Sequence, residues 1–202
     1  MAMILRSSSA SPFARKVRIA AAVLGLSDQI EIVPADTTDS NDILRSQNPL
    51  GKIPTLVLSD GSAFYDSAVI LEYLDYLVGG GQLFPKGADR FRVLTQAALA
   101  DGMLDAAILK IYEQRWRESS THNARWLSHQ SGKIERALAA LEASVGDPFR
   151  VDAASIGLAC VLGYLDLRFG GTWRSEQRRL VAWLDEFSVR VPAFDATRHH
   201  EN

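Results

Sequence analysis

Three short stretches carry residue types that could do chemistry together. In "SSSASPFARKVRIAAAVLG", Ser7 to Gly25, a run of small hydroxyl residues stops at Ser11-Pro12 and opens a helix. A serine at that place can cap the helix, and it can also hold a reactive group at the helix's positive end. In "NPLGKIPTLVL", Asn48 to Leu58, Pro54 stands directly before a strand. It removes one ladder donor, as a sheet-edge proline does. The sharper reading is a cis Ile53-Pro54 bond at a tight turn, which would leave the N–H and C=O of Ile53 free to pair with a bound peptide backbone. In "YDSAVILEYL", Tyr65 to Leu74, Asp66-Ser67 lies where a strand meets a helix. Capping explains it. The same geometry lets Ser67 and the helix N-terminus receive a carboxylate while Asp66 accepts from an ammonium, which together fit an α-amino acid head group.

The elements that must position these residues alternate in period over the first eighty positions. "MILR" is a short β-like run. Phe13, Val17, Ala20, Ala21 and Leu24 then fall at helical spacing, and Gly25 supplies a stop. "IEIVPA" is strand-like, and "SNDILRSQ" makes a short helix at best. "TLVL" and "AFY" flank Ser59-Asp60-Gly61-Ser62, a hairpin signal. "SAVILEYLDYLV" is a helix opened by Ser67 and closed by Gly79-Gly80-Gly81. The order β-α-β-α-β-β-α predicts a mixed four-stranded sheet, with one right-handed parallel crossover and one antiparallel hairpin.

The composition shifts at "GGGQLFPKGADR", Gly79 to Arg90, which reads as a linker. Beyond it no strand pattern occurs. Helical stretches run roughly from Phe91 to Glu118, His122 to Val145, Asp152 to Arg168 and Arg174 to Val189, broken at Gly146-Asp147-Pro148 and Gly170-Gly171. The predicted organisation is an α/β domain over 1–80, a linker over 81–89 and an all-helical domain over 90–202. "DATRHHEN" reads as a frayed tail.

Bulk properties narrow the function class. The 202 residues are 47% hydrophobic and 23% charged, with a net charge of −2, which favours neither nucleic acid nor a membrane surface. The densest basic run, "WRSEQRR" from Trp173 to Arg179, reads as the solvated face of a helix. No apolar run is long enough to span a bilayer, and "MAMILRSSS" lacks the apolar core of a secretory signal, so a cytoplasmic location is expected. Cys160 is the one cysteine and sits in an apolar helical pattern, as an inert buried thiol would. His122, His129, His199 and His200 show no metal-ligand spacing, and no metal is assigned.

Taken in order and spacing, "SPFARKVRIA", "NPLGKIPTL" and "DSAVILEYLD" resemble the glutathione transferase superfamily. The resemblance extends over the full chain. It implies a thioredoxin-like N-terminal domain followed by an all-α domain, a homodimer, and glutathione as a substrate with no further cofactor. "VDAASIGLACVLGYLDLR" matches in part, because the family's Ser/Thr-x-x-Asp capping box is replaced by Asp152 and Ser155 with exchanged roles.

In the resembling family, the group contacting the glutathione sulfur stands at the start of the first helix. The Ser/Cys-Pro-Phe variant puts it immediately before Pro-Phe, which here is Ser11. Another serine class places the hydroxyl slightly earlier, where this chain has Ser9 or Ala10, so Ser9 remains an alternative. A hydroxyl donor and the helix dipole both favour the thiolate over the thiol. With serine at this position and no Cys-x-x-Cys, mixed-disulfide chemistry has no protein nucleophile.

The resemblance further implies that Phe13, Lys52, Ile53, Pro54, Asp66 and Ser67 hold glutathione, with Lys52 balancing its glycyl carboxylate. Asp101, in "ADGMLD", matches a family aspartate that crosses the dimer interface toward the glutathione amine. Tyr112 and Trp116 are four apart and share a helix face. They either pack together or, with Arg115 and Ser9, edge a pocket for the electrophile near Phe13. The expected activity is conjugation of glutathione to a small electrophile. A non-enzymatic interaction module and another glutathione reaction (peroxide reduction, isomerisation or dehalogenation) are the rival readings.

Overall fold

A computed structural model describes residues 3–146 and 150–199. Strand β1 (Met3–Ser7) forms the interior of a four-stranded sheet of order β2-β1-β3-β4. Helix α1 (Pro12–Val23) carries the chain across to β2 (Ile30–Pro34), which runs parallel to β1 with Leu5 opposite Ile32. After the single turn of α2 (Leu44–Gln47), β3 (Thr55–Val57) and β4 (Ala63–Phe64) form an antiparallel hairpin. β3 also pairs antiparallel to β1. Burial follows this topology. All three residues of β3 are buried, whereas β2 lies on an edge and leaves Ile32 53% exposed. Gly61 takes φ +87° in the hairpin turn, a conformation that side chains with a Cβ resist.

Helix α3 (Ser67–Leu77) completes the predicted β-α-β-α-β-β-α order. Four long helices follow: α4 (Asp89–Trp116), α5 (Ala124–Ser144), α6 (Ala153–Phe169) and α7 (Arg178–Arg190), with the single turn of α8 (Ala193–Ala196) after them. Among the described residues no strand follows β4. α6 is apolar on nearly every face and therefore occupies the middle, packed on α4 and α1. Gly157 allows that approach, since a Cβ there would meet the Ala100 Cβ at 3.2 Å. The Asp152 carboxylate accepts from the Ser155 N–H at 3.0 Å, and the Asp152 N–H donates to the Ser155 hydroxyl at 2.9 Å, so the exchanged capping box closes.

Two expectations fail, both because tertiary contacts override local pattern. The run Trp173 to Arg179 is solvated at Ser175, Glu176, Arg178 and Arg179, as expected, but it is not one helical face. It spans a 3₁₀ turn, Thr172–Ser175, and the start of α7. Trp173 is buried, and the Asp166 carboxylate takes the Trp173 indole N–H and two guanidinium N–H groups of Arg174. Glu142 of α5 caps α7 by accepting from the Arg179 and Leu180 N–H groups at 2.8 and 2.9 Å. Nor is the described part of the C-terminal segment frayed. Arg15 donates to the Phe194 carbonyl at 2.5 Å, Arg18 donates to the Thr197 carbonyl at 3.0 Å, and His199 bonds Ser9. Residues 200–202 lie outside the described region, as do Met1, Ala2 and the predicted break at Asp147-Pro148.

Candidate active site

Ser11 is the N-cap of α1. Its Oγ accepts from the Ala14 N–H at 3.2 Å, and Pro12 occupies the first helical turn, where a missing N–H costs nothing. Capping uses an acceptor lone pair of Ser11 and leaves the hydroxyl proton available to a further acceptor. The half-buried Ser11 opens onto a cleft of ≈ 800 Å³. Phe13, Lys52 and Ile53 line its sheet-domain side. Opposite stand Asp105, Ile108, Tyr112, Arg115 and Trp116 of α4, with Tyr164 and Arg168 of α6.

The Ile53-Pro54 bond is cis, with Ile53 at the cleft and Pro54 buried behind it. A residue the sequence reasoning missed braces this loop. Asn48 is buried and donates to the Lys52 carbonyl at 3.0 Å and to the Thr55 hydroxyl at 3.1 Å, while its own carbonyl accepts from the Leu50 N–H. The fixed distance of Asn48 from Pro54 is the available signal, since Asn-x-x-x-x-x-Pro invites a side-chain brace of the intervening turn.

Asp66 caps α3 through the Ala68 N–H at 3.0 Å and keeps its carboxylate exposed. The peptide bond before it, Tyr65-Asp66, is also cis. Ser67 is buried, and its Oγ accepts from the Lys16 ammonium at 3.3 Å. Lys16 is itself 1% exposed and pairs with Asp101 at 2.5 Å. A buried ammonium requires a counter-charge, and Asp101 supplies it within the same chain. One lysine of α1 thus ties the α3 N-terminus to α4. Neither Asp66, Ser67 nor Asp101 lines the ≈ 800 Å³ cleft.

Ser9 also stands apart from Tyr112, Arg115 and Trp116. It lines a second chamber, of ≈ 420 Å³, on the other side of Ser11 and bonds His199 Nδ1 at 2.9 Å. Ala10, Ser11, Pro12 and Tyr164 border both spaces. Tyr112 and Trp116 are 42% and 64% exposed, which rules out a packed core pair. Arg115 instead lies over the Tyr112 ring, 5.7 Å from its centroid.

Asp105 closes the same "ADGMLD" stretch one turn beyond Asp101 on α4, and the sequence reading gives it no role, although the i, i+4 spacing puts it on the same face. Partial burial and then the Asp101 charge raise its carboxyl pKa, while Lys52 opposes them. Burial likewise raises the Tyr164 phenol, against the pull of the adjacent Arg168. Cys160 is fully buried, and burial pushes its thiol up to about 11, which makes it inert at neutral pH.

The fold agrees with known proteins. The family profile for the glutathione S-transferase N-terminal domain matches residues 10–77, and that for the C-terminal domain matches residues 124–186. The chain is 33% identical over 171 residues to the GST-like protein YibF of Escherichia coli K12, covering 82% of this chain and 83% of that one. It is 41% identical to a glutathione transferase family member from Pseudomonas fluorescens Pf-5 solved with bound glutathione, with a TM-score of 0.93 over 99% of this chain and 100% of that one. A glutathione S-transferase from Methylobacterium radiotolerans, solved with glutathione sulfonate, is 33% identical with a TM-score of 0.89, over 100% of this chain and 97% of that one. The chain belongs to the glutathione S-transferase family. No helix among the described residues is long and apolar enough to cross a membrane.

Proposed function

We propose that this protein is a serine-type glutathione transferase that binds glutathione, stabilises its thiolate and conjugates it to a small electrophile. The observation that carries this reading is Ser11. Its oxygen caps α1, its proton remains available, and it faces the same cleft as Ile53. A free thiol has a pKa near 8.5 and is only a few per cent ionised at pH 7. A hydroxyl hydrogen bond together with the α1 N-terminus stabilises S⁻, and each unit of pKa depression corresponds to about 1.4 kcal/mol. The thiolate attacks the electrophilic carbon, forms the C–S bond and expels the leaving group or shifts the π pair of an activated double bond. Ser11 stays uncharged throughout.

In this reading Ile53, held by Pro54 and the Asn48 brace, pairs with the cysteinyl backbone. Asp66 and the α3 N-terminus at Ser67 receive the γ-glutamyl head, Lys52 balances the glycyl carboxylate, and Phe13 packs beside them. Tyr112, Arg115 and Trp116 shape the electrophile side. The working unit is a cytoplasmic homodimer, with the glutathione domain at 1–80, a linker at 81–89 and the helical domain at 90–202. Asp101 faces the glutathione amine of the partner only to the extent that Lys16 leaves it charge to share. The relative from Pseudomonas fluorescens Pf-5 has also been solved with S-(propanoic acid)-glutathione, which supports a glutathione sulfur carrying a small substituent in this kind of cleft.

Titrating wild type with glutathione while following thiolate ultraviolet absorbance tests the reading. Saturable binding with a bound-thiol pKa below about 7.5 is expected. Binding without thiolate formation would leave an interaction module, and no binding would remove the glutathione assignment. A screen of thiol-reactive electrophiles then separates conjugation from peroxide reduction, isomerisation and dehalogenation.

A further inference from the structure

The helical wall of the cleft holds cationic groups that the conjugation chemistry has not used. Arg115 of α4 and Arg168 of α6 both line the cleft, and among the described residues neither has a carboxylate within ion-pair distance. The Nε of Arg168 is buried and has no hydrogen-bond partner. Burial closes this Nε to the cleft, so a ligand there meets the remaining N–H groups of the fork. The Tyr164 hydroxyl stands beside the same guanidinium, four residues earlier on α6.

The acidic residues of the cleft do not neutralise this wall. Asp36 accepts from the Thr38 N–H and Asp42 from the Asp36 N–H, so both are committed to their own loop. Asp105 interacts with Lys52, Asp66, Asp101 and Lys16. Arg168 and Arg115 both pull the Tyr164 phenol down against its burial. Two guanidinium groups without carboxylate partners among the described residues, and a phenol hydroxyl, all lining one cleft, together fit a planar anion with two acceptor oxygens.

We infer that Arg168, with Arg115 and the Tyr164 hydroxyl, anchors a carboxylate on the second substrate. The electrophiles accepted are then small organic acids whose reactive carbon lies a few bonds from the carboxylate. The anchor holds the acid end against α6 while the reactive carbon faces the thiolate at Ser11. Arg168 is the specificity-determining residue of this arrangement. The inference rests on the reading that glutathione occupies the Ser11 side of the cleft.

Calorimetry with three ligands separates the two claims. Glutathione reports the underlying site. S-propylglutathione and S-(2-carboxyethyl)glutathione carry sulfur substituents of closely similar length and differ at the carboxylate. Wild type should bind the carboxyethyl conjugate about tenfold more tightly than the propyl one, as expected for one charge-assisted contact. Arg168→Gln should abolish that preference while leaving glutathione affinity unchanged. Arg168→Lys, which keeps the charge and loses the fork, should retain only part of the preference. Arg115→Gln should reduce it by a smaller factor, and it serves as the decisive variant if substitution at Arg168 prevents folding.

Absence of any preference in wild type that binds glutathione overturns the carboxylate anchor and leaves the glutathione site standing. Survival of the preference in every folded variant overturns the anchor in the same way. Equal weakening of all three ligands by Arg168→Gln would assign the arginine to glutathione itself and also overturn the inference. Failure of wild type to bind glutathione would overturn both.

Discussion

The two walls of the cleft are made by different physics. The sheet-domain wall is set by local backbone rules: a serine cap before a proline, and a proline ahead of a strand. Its residues lie within a few positions of the turn or helix end that aims them. The helical wall has no such local device. Tyr112, Arg115 and Trp116 reach the cleft because α4 packs along α6, and Tyr164 and Arg168 do so because α6 is clasped between α4 and α1. A wall made from local rules can be kept while one made from packing is altered residue by residue. That division suits one fixed ligand facing a changeable one.

The strongest challenge to this contrast is the Lys16–Asp101 pair, which belongs to neither wall and joins both. Asp101→Ala should leave a buried ammonium without a counter-charge and cost about 3 kcal/mol. For a chain of this size that is a Tm loss of roughly 6–12 °C by scanning calorimetry. A change confined to glutathione affinity, with Tm unmoved, would instead make Asp101 a ligand contact.

Ser11→Ala tests the sheet-domain wall. The bound thiol pKa should rise, and conjugation at pH 7 should fall roughly ten- to a hundredfold, with glutathione affinity nearly intact. A cap role alone predicts about 1 kcal/mol of lost stability and an unchanged thiol titration. Ser9→Ala is the control and should leave that titration alone. If Ser9→Ala shifts it and Ser11→Ala does not, the thiol contact belongs to Ser9.

Trp116→Ala tests the helical wall. It should raise KM for the electrophile by less than about tenfold and leave glutathione affinity unchanged, because the indole is already largely open to water. Loss of glutathione affinity would show that the two walls are not separable.

The smallest effect concerns Cys160. With its thiol at about 11, it is ionised to about one part in ten thousand at pH 7. Iodoacetamide should leave the native chain unlabelled over hours and modify it promptly after denaturation. Because the native state holds this proton more tightly than the unfolded chain, the Cys160 contribution to stability declines as pH rises from about 9 toward 11, and Cys160→Ala should lack that component. Rapid labelling of native protein would show that α6 opens easily.

The fold is legible in the sequence where conformation is decided within a few residues. Pro12 and Ser11 announce α1, Gly61 announces the hairpin, and the Gly79–Gly81 run ends α3. Asp152 and Ser155 announce α6 for the same reason. What stays hidden depends on residues far apart in the chain. Nothing near Trp173 says that Asp166 will draw it inward, and nothing near Ser9 says that His199 will meet it. Arg168 reads as an ordinary helix-end cation, since only packing places it at the cleft away from any carboxylate among the described residues. The motif around Asp101 points toward a partner chain, because Lys16, eighty-five positions earlier, carries no local mark of burial.

The grip of the last described residues on α1 also bears on when the molecule is finished during synthesis. The sheet and its helices lie in the first part of the chain to be made, and their topology is complete by Leu77. Yet Arg15, Lys16 and Arg18 find their partners at Phe194, Asp101 and Thr197. Until those segments leave the ribosome, α1 has no cover for its cationic face, and the loop that carries Ser11 lacks the His199 contact beside it. α1, made early, is therefore among the last elements to be fixed, and a nascent chain stalled before α8 would hold the Ser11 loop without the frame around it.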